Sequence, residues 1–312
     1  MPRPDVSLLI PAHNEGSRIA GTILSIARAR TSGARLEFIV VDDGSTDDSL
    51  DHLTAALPQL LDQRNIDVRV CQLGQNLGNY HARNEAAALS TAPILFTTDA
   101  HVEFSHGWDE VLFEHFHPER ILAGTTTQKG AVFHGYGCQL LIPLMDTWWN
   151  KGLEADSAPV QIAACSATIL SRDLFFRLGG YDTGMILYGG GEPEFSVRAW
   201  LQGAEVYAVR RLEIQHEFKT REELVPFMNR IRLFRIHNSI RFGLLYLSEA
   251  GCLQLLRYFA LSEPALYAKA LCMVNESDVW QRRAQLDRQR IRPFEWFIEN
   301  FGIRNQIGEI VL

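Results

Sequence analysis

The chain has 312 residues, 46% of them hydrophobic, and a formal net charge of −7, which is enough apolar material for a substantial core in one large domain or two smaller ones. With acids in excess, no overall basic field is available to hold a nucleic-acid backbone, so a nucleic-acid partner is not expected. No window approaches the ~20 uninterrupted apolar residues of a membrane-spanning helix, and MPRPDVSLLIPAHNE holds no long apolar leader stretch.

The cysteines, Cys71, Cys138, Cys165, Cys252 and Cys272, are scattered and form no C-x-x-C pair. A cytoplasmic chain with reduced core cysteines is the expectation. In chain order, VSLLIP (6–11) is a short apolar run ended by Pro11 and predicts a buried strand. From Asn14-Glu15-Gly16-Ser17 a helical spacing of Ile19, Ile23, Leu24, Ile26 and Ala27 runs to Gly33. LEFIVVDD (36–43) predicts a second strand. Ser45-Thr46-Asp47-Asp48 caps a helix expected to run through Leu57 and stop near Pro58. DVRVCQL (67–73) alternates as a third strand. YHARNEAAALST is an alanine-rich helix, and APILFTTD (92–99) is a fourth strand.

This β-α-β-α-β-α-β order predicts an α/β fold with a mostly parallel sheet flanked by helices. In such sheets ligands sit beyond the carboxyl ends of the strands. Pro11 to Glu15, Asp42-Asp43, Asn76 to Asn79 and Asp99 to His101 all follow strand ends. Beyond Trp108 the pattern is mixed: RILAGTTT and QIAACSATILS read as strands around the aromatic stretch FHGYGCQLLIPLMDTWWN. From about Arg221 the chain reads as helical nearly to its end, with a soft boundary near 220.

Asp99-x-His101 places a carboxylate and an imidazole at one strand end. That pair suits Mn²⁺ or a similar divalent ion better than an all-oxygen site does, although a lone triplet of this kind is usually an ordinary polar turn. The ordered set LLIPAHNE, VVDDGSTDDS, NLGNYHARNEA and TTDAH, each after a predicted strand, is more specific. It resembles the nucleotide-sugar glycosyltransferases of the GT-A fold, family 2-like. The D-x-H form, TTDAHVEFSHGWDEVL and YGGGEPEFSVRAWLQGAEVYAVRRLEIQHEF are similar to the polypeptide N-acetylgalactosaminyltransferase branch. The resemblance covers about residues 5–220.

The resemblance implies a GT-A catalytic domain over 1–220, with a nucleotide-binding half (1–104) and an acceptor-binding half (105–220), followed by a helical C-terminal extension (221–312). It implies a metal-dependent transferase that moves a hexosyl or N-acetylhexosaminyl group from a UDP-sugar to an acceptor hydroxyl. Asp99, His101 and His216 match the metal ligands, and the ion is Mn²⁺ or Mg²⁺. Pro11, Ala12, Asn14 and Glu15 match the first nucleotide loop, and Asp43 matches the aspartate that reads the uracil. Gly78 and Arg83 match the loop and helix near the base and phosphates, where the arginine binds phosphate or orders Asp43 and Asp99. Ala100 lies between the metal ligands.

Glu192 and Glu194 match the acidic motif that supplies a base or binds the sugar. The first acidic position of that motif is Gly191 here, which leaves the stereochemical outcome open. Acids and a proline at a helix start also have a purely structural reading. Trp148-Trp149 reads equally as a sugar-stacking pair, a lid or core packing.

MNRIRLFRIHNSIRF (228–242) is a basic amphipathic helix with three competing roles: docked on the catalytic domain, a lid over diphosphate or acceptor, or a peripheral membrane contact. With the second basic run QRRAQLDRQRIR, it keeps an anionic or lipid-linked acceptor beside a peptide, a glycan or a small metabolite. Homo-oligomerisation stays open. The alternatives to a transferase are a nucleotidyltransferase-like enzyme and a non-catalytic sugar-nucleotide-binding scaffold.

Overall fold

A computed structural model describes residues 3–164 and 166–303. In chain order the elements are β1 (Val6–Ala12), α1 (Arg18–Ala29), β2 (Leu36–Asp42), α2 (Ser49–Leu61), β3 (Ile66–Gln72), α3 (Asn79–Leu89), β4 (Ile94–Thr97), β5 (Val102–Phe104), α4 (Trp108–His115), β6 (Arg120–Gln128), β7 (Ala131–Gly135) and β8 (Cys138–Leu141). They continue as β9 (Asp146–Trp149), β10 (Ser157–Pro159), β11 (Thr168–Ser171), α5 (Arg172–Leu178), α6 (Gly191–Leu201), β12 (Glu205–His216), α7 (Arg221–Tyr246), α8 (Glu249–Ser262), α9 (Pro264–Asn275), α10 (Val279–Gln289) and α11 (Phe294–Asn300).

One sheet organises the molecule, in the order β10-β12-β6-β11-β4-β1-β2-β3, with β5 beside β12 and β7 beside β6; β8 and β9 form a separate hairpin. β3, β2, β1 and β4 run parallel. β11 is antiparallel to β4 and β6, while β12 runs parallel to β6. The chain leaves β1 toward β2 and β3 and then returns to β1's other side as β4. The carboxyl ends of β1 and β4 therefore meet at the sheet's topological switch point, where a crevice opens.

The sheet has two covered faces, so its central strands read as continuous apolar runs. Alternate residues serve opposite faces. Val6, Leu8 and Ile10 pack with Ile19, Ile23 and Leu53 of α1 and α2. Leu9, Ile39 and Val41 instead join Tyr80, Phe195, Phe242 and Phe297, from α3, α6, α7 and α11. The helices beyond Arg221 thus share the second core with the sheet.

Three details differ from the sequence expectation. Pro58 lies inside α2, which continues to Leu61; the chain accommodates the missing N–H, and Asp62 N donates to the Pro58 carbonyl (3.1 Å). Among the described residues of QIAACSATILS, the strand covers Thr168–Ser171. Of the cysteines, Cys138 and Cys252 are buried, Cys71 is half-buried and Cys272 is exposed, all as free thiols; Cys165 lies outside the described residues. Among the described residues no helix is long and apolar enough to cross a membrane. The basic stretch 228–242 lies within α7, where Ile231, Ile236, Ile240 and Phe242 are buried.

Candidate active site

The loops after β1, β2 and β4 and the end of β12 converge on a cavity of about 1120 Å³, ample for a ligand larger than a typical drug. Pro11, Ala12, Asn14 and Glu15 line it after β1, and Asp43 after β2. Gly78 lines it before α3, and Asp99, Ala100 and His101 after β4. Glu192, at the start of α6, and His216 complete the set of expected residues on its wall. Arg83 and Glu194 do not line it.

His216 reaches this corner through strand pairing. β5 runs antiparallel to the end of β12 with Val102 opposite His216, and Glu217 N donates to the His101 carbonyl (3.0 Å). Ligand atoms of Asp99, His101 and His216 consequently lie within 4.8 Å of one another, and the two imidazole rings meet edge to face at 4.7 Å.

The donor set suits a divalent cation. One carboxylate and two imidazoles are ligands for Mn²⁺ and its neighbours. His101 Nδ1 is 3.0 Å from Glu15 Oε2; an ionised carboxylate only accepts, so Nδ1 carries the proton and Nε2 is left for a ligand. The buried His216 Nδ1 has no hydrogen-bond partner, a deficit that a buried polar atom rarely carries without a bound group.

Charge at this corner is balanced by contacts behind the wall. Burial pushes the Asp99 carboxyl upward, but the His216 contact and the Arg83 guanidinium, with His101, hold it well below the ordinary carboxylate range. Arg83 Nη2 donates to Asp99 Oδ1 (2.9 Å) and Nη1 to Thr97 Oγ1 (2.8 Å). The Arg83 side chain is fully buried. For His101, burial lowers the pKa, but Glu15 and Asp99 outweigh it and raise the value.

Asp43 is ordered by backbone. Its Oδ1 accepts from Leu77 N (2.7 Å) and its Oδ2 from Gly78 N (2.8 Å). Burial raises its pKa, with those two bonds as partial offset. Gly78, at φ 100°, meets the chain rather than open space: a Cβ there would lie 2.7 Å from Leu187 Cα. Its conformational freedom serves this close backbone approach.

The two acidic candidates of α6 separate. Glu192 faces the cavity, while Glu194 is fully buried behind it. Glu194 accepts from Arg198 Nε (2.9 Å) and Nη2 (2.7 Å) and from the Tyr246 hydroxyl (2.7 Å). It pins α6 to α7.

The wall also holds residues beyond those matched to the motifs. Asn79 lines the cavity, and Tyr80, fully buried beside it, donates to Glu192. Phe218, Lys219, Phe227 and Arg235 come from the segment after β12 and from α7. Trp149 lines the cavity, whereas Trp148 is exposed. Only the amphipathic pattern of 228–242 hinted at the α7 contribution.

Residues 7–176 match the family model described as Glycosyl transferase family 2. Human polypeptide N-acetylgalactosaminyltransferase 9 is 28% identical over 319 residues, covering 95% of this chain and 50% of the relative. Polypeptide N-acetylgalactosaminyltransferase 8 of Drosophila melanogaster is 25% identical over 322 residues, covering 96% and 51%. The chain thus spans about half the length of the curated relatives it matches. Among solved structures, GalNAc-T7 with UDP, GalNAc and Mn²⁺ superposes with a TM-score of 0.74 at 18% identity, over 96% of this chain and 57% of that one. A mannosyltransferase from Pyrobaculum calidifontis in complex with GDP-Man and Mn²⁺ gives 0.54 at 18% identity, over 92% and 86%. These likenesses establish the GT-A fold for the described sheet and its helices.

Proposed function

Since the chain belongs to glycosyl transferase family 2, we propose that it transfers a sugar from a UDP-sugar to an acceptor hydroxyl, with a divalent cation, Mn²⁺ or Mg²⁺, held by Asp99, His101 and His216. The observation that carries this reading is the convergence of those three side chains at one corner of the cavity. When bound, the cation supplies Lewis-acid neutralisation of the charge that develops on the departing diphosphate.

The chain's own residues do the rest. Pro11, Ala12, Asn14 and Asp43 wall the part of the cavity that takes the nucleoside. Asp43, with two acceptor sites engaged by backbone, retains lone pairs for an N–H of the base. Ala100 contributes small buried wall between the cation ligands, so ligand can lie close. Glu192 presents a carboxylate that either accepts hydrogen bonds from sugar hydroxyls or takes the acceptor proton. Residues 1–104 then serve the nucleotide and 105–220 the acceptor, while the extension from 221 adds the wall of α7. Because the matched relatives are named as polypeptide N-acetylgalactosaminyltransferases, a peptide Ser or Thr hydroxyl is the first acceptor to test, and an N-acetylhexosamine the first donor sugar.

The test is UDP release from a panel of UDP-sugars in Mn²⁺, with and without chelator and candidate peptides. Slow release from one donor, abolished by chelation and reduced at least about 100-fold in Asp99→Ala and His216→Ala, is the expected result, in the range set by removing one strong transition-state contact. Release that persists unchanged in both variants counts decisively against the proposal. UDP and Mn²⁺ binding without any release points instead to a sugar-nucleotide-binding scaffold.

A further inference from the structure

Both oxygens of the Glu192 carboxylate are held from the first turn of α3. The Tyr80 hydroxyl donates to Oε2 at 3.0 Å, and Asn79 Nδ2 donates to Oε1 at 3.2 Å. The Tyr80 oxygen in turn accepts from Gly191 N at 3.0 Å, so one phenol fixes both the start of α6 and the carboxylate next to it. Gly191 suits this arrangement because a Cβ there would run into the Tyr80 ring. Burial, together with the nearby Glu192 charge, pushes the Tyr80 phenol well above its ordinary value, and it remains a donor.

Asn79 cannot turn its amide round without loss. Its Oδ1 accepts from Arg83 Nε at 2.9 Å. A guanidinium only donates, so the carbonyl must face Arg83 and the NH₂ must face Glu192. The same Arg83 holds Asp99. A single helical turn, Asn79 to Arg83, therefore connects the carboxylate at the cation corner to the carboxylate on α6, through Glu192, Asn79, Arg83 and Asp99 in order.

We propose that Asn79 and Tyr80 are positioning residues for the transfer. They lock Glu192 in one orientation relative to Asp99 and leave its remaining lone pairs for the sugar or the acceptor hydroxyl. An ionised carboxylate offers about four acceptor sites, and two of them are occupied by this pair. A carboxylate on an untethered Glu side chain samples several rotamers, and ordering it in advance removes that cost from the reaction. The inference rests on the donor-binding reading above.

The discriminating variant is Asn79→Asp. It preserves shape and strengthens the contact to Arg83, but it replaces the donor facing Glu192 with a second carboxylate. UDP release is measured for the full-length chain with the UDP-sugar that the wild type turns over fastest, alongside calorimetric binding of UDP alone in Mn²⁺. UDP affinity within about twofold of wild type confirms an intact nucleotide site in each variant. Tyr80→Phe and Asn79→Ala should lower kcat about 10- to 100-fold, the scale of a small misplacement of a reacting group. Asn79→Asp should lower it at least as far as Asn79→Ala. Added to Glu192→Gln, Tyr80→Phe should cost less than about twofold more, because coupled residues are non-additive.

Wild-type kcat in Asn79→Asp or in Tyr80→Phe, or independent losses in the double variant, overturns the inference while leaving the transferase reading standing. A wild type that neither binds UDP nor releases it from any donor overturns both. Should Tyr80→Phe fold poorly, the two Asn79 variants decide alone.

Discussion

At the scale of single residues, the proposed cation corner depends on side chains outside its three candidate ligands. Glu15 is the clearest. Its carboxylate fixes the tautomer of His101 through the 3.0 Å contact to Nδ1, and such partners raise the basicity of the coordinating imidazole. Glu15→Ala should weaken Mn²⁺ binding about 10- to 100-fold, while Glu15→Gln, which still accepts the hydrogen bond, should fall between it and wild type. Titration calorimetry with Mn²⁺ reads this directly, and excess Mn²⁺ should restore much of the UDP release. Unchanged Mn²⁺ affinity in Glu15→Ala would remove Glu15 from this role.

The contrast with Tyr80 shows what a sequence reveals. Asp99 and His101 were legible because they close a strand and belong to an ordered set of loop motifs. Glu15 could be read as a candidate site residue, yet its contact with His101 could not. Tyr80 opens an alanine-rich helix and Asn79 was only one polar residue of a loop, and their partner Glu192 is more than a hundred positions away on α6. Only the packing of α3 against α6 brings them together. Glu194 shows the opposite case: its acidic pattern suggested chemistry, and the pattern gave no sign of its burial against Arg198 and Tyr246.

At the scale of elements, α7 was readable as a helix from its apolar spacing, but which of its arginines would be buried was not. Arg241 is fully buried and donates through Nε to Asp182 Oδ2 (2.8 Å) and through Nη2 to Asp182 Oδ1 (2.9 Å), clamping the loop before α6 onto α7. Burial raises the Asp182 pKa, but the Arg241 contacts outweigh it and leave the carboxyl below its ordinary value. A depressed folded-state value means the pair's contribution is complete above the unfolded aspartate pKa of about 3.9 and is lost as pH falls through the folded value. Asp182→Asn should therefore be less stable than wild type at pH 7, by up to about 3 kcal/mol for a broken buried pair, the remaining Asp278 contact softening the loss. The gap should narrow as the pH drops below about 4. Urea unfolding at pH 7 and at successively lower pH measures both limbs; a gap that stays constant with pH would show that the ion pair is not its source.

At the scale of the whole molecule, the sequence suggested a boundary near residue 220, because an α/β pattern gives way there to helices. A change of pattern need not be a change of core. Leu9, Ile39 and Val41 of the sheet share one apolar cluster with Ile240, Phe242, Leu245 and Phe297. A buried hydrogen bond, Tyr246 to Glu194, and a buried ion pair, Arg241 to Asp182, also cross that boundary. Cutting at 220 would remove the α7 side of this core, expose the apolar face of α6 and leave Asp182 without its arginine; exposed apolar area costs about 25 cal/mol per Å², against a typical domain's total of about 5–15 kcal/mol. The change of pattern at 220 is then not a change of core, and residues from both sides of it line the cavity. A fragment ending at residue 220 should accordingly show a weakened near-UV circular dichroism signal and no cooperative urea transition, whereas the full chain unfolds in a single step seen alike by fluorescence and circular dichroism. A soluble fragment with native near-UV signal and a sharp transition of its own would make the C-terminal helices a separate domain after all.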